Sequence, residues 1–137
     1  MNKSKNKLNA LSVDLIERIK SIANKGISFA QGEVLFKEGD HKEYIYLIEK
    51  GEVALVKDKQ EKKIEIMSQN DGEIVGVDLI FNDHDCEYSA LVLQPSIVYK
   101  VLISDFKELL SNNNGLSLEI LKYLSSLINK LESRKLA

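Results

Sequence analysis

Apolar residues near the start of the chain fall at Leu8, Leu11, Leu15, Ile19 and Ile22, in steps of three and four. That spacing lays one stripe along a helix, with Ser12 and Asp14 placed to cap its start and Gly26 to stop it. Between Ile27 and Ile103 the texture changes to short apolar, β-branched and aromatic runs separated by Gly, Asp and Asn. The pattern predicts eight short strands: Ile27–Phe29, Val34–Phe36, Tyr44–Ile48, Glu52–Lys57, Lys63–Met67, Ile74–Val75, Cys86–Leu93 and Ser96–Leu102. Strands of this number and spacing suggest a β-roll or jelly roll, a mainly β fold with flanking helices. Tyr44–Ile48 is apolar almost throughout and is expected to be covered on both faces, whereas Ile64 and Ile66 alternate with charged neighbours and are expected to face inward from a half-wet strand. Lys50-Gly51 and Asp71-Gly72 mark turns where positive φ suits glycine, and the mixed-charge run Lys57–Lys63 reads as a solvated hairpin tip.

The helical period returns after Ile103, opened by Ser104 or Asp105 and carried by Phe106, Leu109 and Leu110, until the SNNNG break at Ser111–Gly115. A second helix follows, with Ile120, Leu124, Leu127 and Leu131 in a stripe widened by Leu121 and Ile128. The 22 residues from Leu116 to the end would extend about 33 Å as a helix. This divides the chain into 1–115, an N-terminal helix plus roll, and 116–137, an amphipathic helix. The helix can cover its own roll or pair with the same helix of a second copy. Its long apolar seam favours a homodimer.

At 137 residues, 44% hydrophobic and 29% charged, the chain suits one globular domain that needs no disulfide or metal staple. Nineteen basic and 21 acidic side chains leave a net charge of -2, so no basic field draws in nucleic acid, and no nucleic-acid binding by this chain alone is expected. No apolar run reaches the roughly 18 residues of a membrane span, and the polar opening lacks the centre of a signal peptide, so a cytoplasmic protein without membrane contact is expected. One cysteine, Cys86, can neither close an internal disulfide nor hold an iron–sulfur cluster, and is expected as a small semi-apolar strand residue. His41 and His84 lie in turn and loop segments without the constellation of a metal site, and no nucleophile–base pair is evident. Neither an enzyme nor a metal site is expected.

Two segments carry a family resemblance: Gly32-Glu33-Val34-Leu35-Phe36-Lys37-Glu38-Gly39-Asp40 and Tyr44-Ile45-Tyr46-Leu47-Ile48-Glu49-Lys50-Gly51-Glu52-Val53. Together with Asp71-Gly72-Glu73-Ile74-Val75-Gly76, Tyr88-Ser89-Ala90-Leu91-Val92 and Ile103-Ser104-Asp105-Phe106, they resemble the cyclic-nucleotide-binding domain. The likeness is greatest to sensor domains of the bacterial catabolite-activator and fumarate–nitrate regulators, in which a long helix after the roll dimerises and leads into a helix-turn-helix. The 22 residues after Gly115 leave no room for that motif, so the resemblance implies a sensor alone or the sensor half of a transcription regulator.

The resemblance implies a ligand cassette at Gly76, Val77, Asp78, Leu79, Glu87, Tyr88 and Ser89. Gly76 matches the family glycine, whose following amides can cradle a phosphate. The family glutamate that holds the ribose hydroxyl falls at Val77, which accepts no hydrogen bond, leaving Asp78 as the only substitute. The family arginine that clamps the cyclic phosphate falls at Glu87, with the charge reversed. At about 4 Å and an effective dielectric near 20, one such interaction is worth roughly 4 kcal/mol, and the lost ribose bond adds about 1–3 kcal/mol. Cyclic AMP and cyclic GMP are therefore disfavoured as ligands, and no cofactor is assigned. Lys57 and Lys100 are the candidate cations for a borrowed clamp, while Tyr88 either fills the vacated pocket or stacks on a planar ligand, with filling favoured. The function implied is a non-enzymatic regulatory sensor with a degenerate cassette, taking another small molecule. The alternative is a ligand-free dimerising scaffold.

Overall fold

The computed structural model describes residues 8, 10–80 and 84–136. Ser12 opens α1 (Val13–Ala23) by accepting the Leu15 amide proton at 3.1 Å, as its position before an apolar stripe predicts. The helix stops earlier than expected. Asn24, at positive φ (84°), caps it in place of Gly26, its amide donating to the Lys20 carbonyl. Gly26 instead lets the final strand pass close by, since a Cβ there would stand 2.9 Å from Ile97. Leu8, Leu11, Leu15 and Ile19 are buried, while Ile22 at the end of the stripe is largely exposed.

All six strands among the described residues pair antiparallel: β1 (Ile27–Phe29), β2 (Val34–Phe36), β3 (Tyr44–Lys59), β4 (Lys62–Asn70), β5 (Ile74–Val75) and β6 (Ser89–Leu102). β6 and β3 lie side by side at the centre, flanked by β1 and β4, with β2 also on β6 and β5 also on β3. The eight expected strands become six because the breaks expected at Lys50-Gly51 and between Leu93 and Ser96 are irregularities inside continuous strands. Gly51, at φ 135°, lies in β3 opposite the Gln94–Ser96 irregularity of β6. A side chain at Gly51 would collide with Ser96, whose hydroxyl reaches the Gln94 carbonyl at 2.7 Å and accepts the Glu52 amide proton at 3.3 Å. Pro95 lacks an N–H, so the ladder slips there and resumes.

Tyr44–Ile48 is covered on both faces as expected, with Ile45, Leu47 and Ile48 fully buried. The inward face of β4 is the reverse of that predicted: Met67 and Gln69 are buried, whereas Ile64 is 46% exposed and Ile66 half-buried. A register shift at Leu55/Val56 separates the two ends of the β3–β4 ladder, and the sequence around Ile64 does not show it. The hairpin tip falls at Gln60 and Glu61, both at positive φ, between the paired Lys59 and Lys62.

The helices α2 (Ile103–Ser111) and α3 (Asn114–Leu136) follow β6, separated by Asn112 and Asn113. Neither Ser104 nor Asp105 caps α2, which follows directly from Leu102 at the end of β6. The Asn113 amide donates to the Leu109 carbonyl at 2.9 Å and the Ser117 hydroxyl to that of Leu110 at 2.6 Å, which satisfies carbonyls freed at the break. From α3, Leu116, Ile120, Tyr123 and Leu127 join the same core as the roll. No helix among the described residues is long and apolar enough to cross a membrane.

Candidate functional site

β5 ends at Val75, and the chain turns at Gly76 in the left-handed region, φ 96°, into a single 3-10 turn, Val77–Leu79. Glycine suits this corner because a Cβ is strained at that φ. Val77 and Leu79 are buried in the core, while Asp78 is half-buried in the cavity wall. A turn this short presents no extended row of amides. The Leu79 amide is already bonded to the Gly76 carbonyl at 3.0 Å.

Tyr88 and Ser89 come from the start of β6 and the residue before it. The Ser89 hydroxyl accepts the Glu38 amide proton at 2.8 Å and so fastens the loop after β2. Glu87 is exposed, and it is the neighbouring Tyr88 that enters the cassette, only 4% exposed. The Tyr88 hydroxyl donates to Asp78 Oδ1 at 2.7 Å, and its ring lies 5.7 Å from that of Phe36, which in turn stacks on Tyr46 at 5.9 Å. Burial raises the Asp78 pKa; the Tyr88 bond opposes that shift and the charge of Glu87 reinforces it. The Tyr88 phenol is held well above its ordinary pKa by burial and by the Asp78 carboxylate, so it remains a proton donor to Asp78 at neutral pH.

The space left beside this pair is a cavity of about 180 Å³, lined by Lys57, Ile66, Asp78, Leu79, Glu87, Tyr88 and Leu131. It is smaller than the roughly 300–1,000 Å³ of most ligand pockets. Of the two lysines suggested by sequence, Lys57 reaches this cavity; Lys100 lies elsewhere, its ammonium 4.1 Å above the Tyr44 ring. Lys42 approaches the cassette from behind and donates to the Leu79 carbonyl.

Leu131 brings α3 into the cavity wall, and Tyr123 ties the same helix to the strand that leads into the cassette. β5 pairs only with β3, which leaves the outer edge of Ile74 without a strand. The fully buried Tyr123 hydroxyl fills that edge, accepting from the Ile74 amide at 2.9 Å and lying 3.2 Å from the Ile74 carbonyl. Gln69 Nε2 completes the network, donating to the Ile74 carbonyl at 2.9 Å and to the Tyr123 oxygen at 3.1 Å. At the start of α3, Glu119 accepts both the Ser12 hydroxyl proton, at 2.8 Å, and the Ser12 amide proton, so the cap of α1 is bound to α3. Sequence reasoning missed Phe36, Tyr123, Gln69 and Leu131 as parts of the site. Tyr123 had one available signal, a phenol in the apolar stripe between Ile120 and Leu127 that must find a partner once buried.

Cys86 is buried, but it precedes β6 instead of lying in a strand; its amide donates to the Asp40 carbonyl at 2.9 Å and its carbonyl accepts from Gly39 at 2.8 Å. Burial raises its thiol pKa, which keeps it a thiol. His41 Nδ1 lies 3.7 Å from Asp85 on the surface, and His84 is exposed. No group of three metal-ligating side chains occurs among the described residues.

The antiparallel sheet, the Gly76 corner and the helices at both ends define a β-roll with flanking helices. The profile of the cyclic nucleotide-binding domain matches residues 27–113, and the chain belongs to that family of regulatory modules. No curated protein matches the chain. Among solved structures, a transcriptional regulator from Thermotoga maritima is 21% identical, with 88% of this chain and 94% of that chain covered and a TM-score of 0.77. The c-di-GMP responsive global regulator CLP of Xanthomonas campestris is 18% identical, over 91% of this chain and 60% of that one, with a TM-score of 0.70. The EAL enzyme Bd1971 in its cAMP-bound form is 24% identical over 82% of this chain, with a TM-score of 0.61. This chain covers 31% of that enzyme's length.

Proposed function

We propose that this chain is a cytoplasmic, non-enzymatic regulatory sensor whose cassette has lost the binding of cyclic AMP and cyclic GMP. The observation that supports the reading is the Tyr88–Asp78 hydrogen bond at 2.7 Å, which accompanies a buried ring in the cassette and commits its carboxylate. Two further features support it: Val77 offers no acceptor for a ribose, and the cavity's basic residue is Lys57, with no arginine. Both of the chain's arginines, Arg18 and Arg134, belong to helices outside the roll. The fold itself accommodates different ligands, since Bd1971 holds cAMP and CLP responds to c-di-GMP. A calorimetric titration of the chain with cyclic AMP and cyclic GMP tests the reading. No heat is expected at protein concentrations that detect dissociation constants up to about 1 mM. Micromolar binding would show that Tyr88 yields its place to a nucleotide.

The protein acts as a homodimer in this proposal. α3 buries one apolar face in the roll while Leu118, Leu121 and Ile128 remain exposed at steps of three and seven, the spacing of a helix–helix seam. Sedimentation of the chain beside a Leu121→Glu variant checks this: dimer for the first, monomer of unchanged fold for the second. The filled cassette also supports a second reading, a ligand-free dimerising scaffold. Likeness to the Thermotoga and Xanthomonas regulators further supports a role as the sensor part of a transcription regulator, with any DNA contact made by residues outside this chain.

A further inference from the structure

A second cavity, of about 330 Å³, has Phe36 in its wall and shares no lining residue with the cavity beside Asp78. Its volume falls within the range typical of small-molecule sites. Phe36 and Tyr44 form its aromatic wall, Lys42 and Lys100 bring two ammonium groups, and Asp40 and Glu43 bring two carboxylates. These groups are unequally committed. Asp40 accepts the Lys37 amide proton at 3.0 Å and belongs to its turn, and Lys100 lies over the Tyr44 ring. Lys42 donates to the Leu79 carbonyl, but an ammonium has three N–H donors and can meet a second acceptor.

We propose that this cavity is a ligand site for a free aromatic α-amino acid. Its carboxylate would be met by Lys42 and Lys100, its ammonium by Glu43, and its ring by Phe36 and Tyr44. Both charges of the ligand are matched, which a purely anionic or purely cationic aromatic cannot achieve among two lysines and two acids. The position gives binding a route to the rest of the fold. Phe36 touches Tyr88 across the cassette, and Lys42 holds the end of the cassette turn, so an occupant moves groups that already contact Asp78 and Leu79. The proposal rests on the closed-cassette reading, since a cassette that takes no nucleotide leaves this cavity as the larger of the two spaces adjoining the Phe36–Tyr88 contact.

The chain contains no tryptophan, so added L-tryptophan can be followed by its own fluorescence against a dark background. Titrating a fixed low concentration of L-tryptophan with the full chain is expected to shift its emission to the blue, with a dissociation constant below about 1 mM. Lys100→Ala and Glu43→Gln, at exposed positions that leave the core intact, should each weaken binding about fivefold or more, the effect of losing about 1 kcal/mol of charged hydrogen bonding. Tryptamine and indole-3-propionate, each lacking one charge, should compete at least about fivefold more weakly on the same basis. No emission shift, unchanged affinity in both variants, or equal competition by either analogue would overturn the proposal. Cyclic AMP added to the loaded protein should leave the emission unaltered. Displacement of tryptophan by cyclic AMP would place the ligand in the cassette and overturn both readings, whereas silence toward tryptophan and cyclic AMP alike overturns this proposal alone.

Discussion

The touching rings of Phe36 and Tyr88 adjoin two spaces of opposite character, Tyr88 lining one and Phe36 the other. On the cassette side, Tyr88 is buried, its hydroxyl is bonded to Asp78, and about 180 Å³ is left. On the far side, Tyr44 and Lys100 line about 330 Å³ of open cleft with exposed charges at its rim. The fold keeps the corner that makes a cassette, Gly76 and its turn, while the side chains inside it favour closure. On the reading proposed above, backbone geometry and ligand chemistry are separate: a left-handed glycine keeps the turn, and the side chain at position 88 fills the space beside it.

Truncation of the plug tests this contrast most severely. Tyr88→Ala removes a buried ring and its hydrogen bond, and should cost about 3–5 kcal/mol in chemical denaturation, the range for large aromatic to alanine changes in cores. If Tyr88→Ala is as stable as the parent, the ring fills no space that the fold needs and the contrast fails. Tyr88→Phe separates the hydroxyl from the ring. It keeps the contact with Phe36 but leaves Asp78 without its phenol donor, for an expected loss of about 1–3 kcal/mol by the same measurement. On the open side the corresponding loss is small: Lys100→Ala gives up a cation–ring contact at an exposed position and should change stability by about 0.5–1 kcal/mol at most. A larger loss there would mean that the cleft is a structural joint.

Much of the fold was legible because it depends on local signals. β1, β2 and β5 appear at the predicted residues, and Ser12 caps α1 as its sequence setting suggests. What was hidden depends on partners distant in sequence. Gly51 looks like a turn when considered alone, but opposite the Gln94–Ser96 segment it lies in a slipped register of a continuous ladder. Ile64 and Ile66 alternate as an inward face should, yet Met67 and Gln69 take that place. In the cassette, sequence matching indicated which groups were absent but drew attention to the charge at Glu87. In the structure Glu87 is exposed at the cavity and the adjacent Tyr88 is buried, both in the bend that precedes β6. The Tyr123 network was out of reach, since the unpaired edge of Ile74 exists only once β5 has paired with β3.

The smallest expected effect concerns the protonation of the closed side. Burial raises the Asp78 pKa in the folded chain, and it does the same for Glu73 nearer the start of β5. A carboxyl group with a raised folded pKa binds its proton more tightly in the native state than in the unfolded one. Native stability from that group is then greatest below the ordinary carboxylate range and declines as pH rises through the unfolded pKa toward the folded one. Asp78→Asn keeps a carbonyl oxygen to accept the Tyr88 proton and cannot ionise. Stability measured from about pH 3 to pH 7 should therefore fall less steeply in Asp78→Asn than in the parent, with Glu73 supplying the slope that remains. An unchanged slope would mean that Asp78 meets the same solvent folded as unfolded, and the cassette side would then be as open as the other.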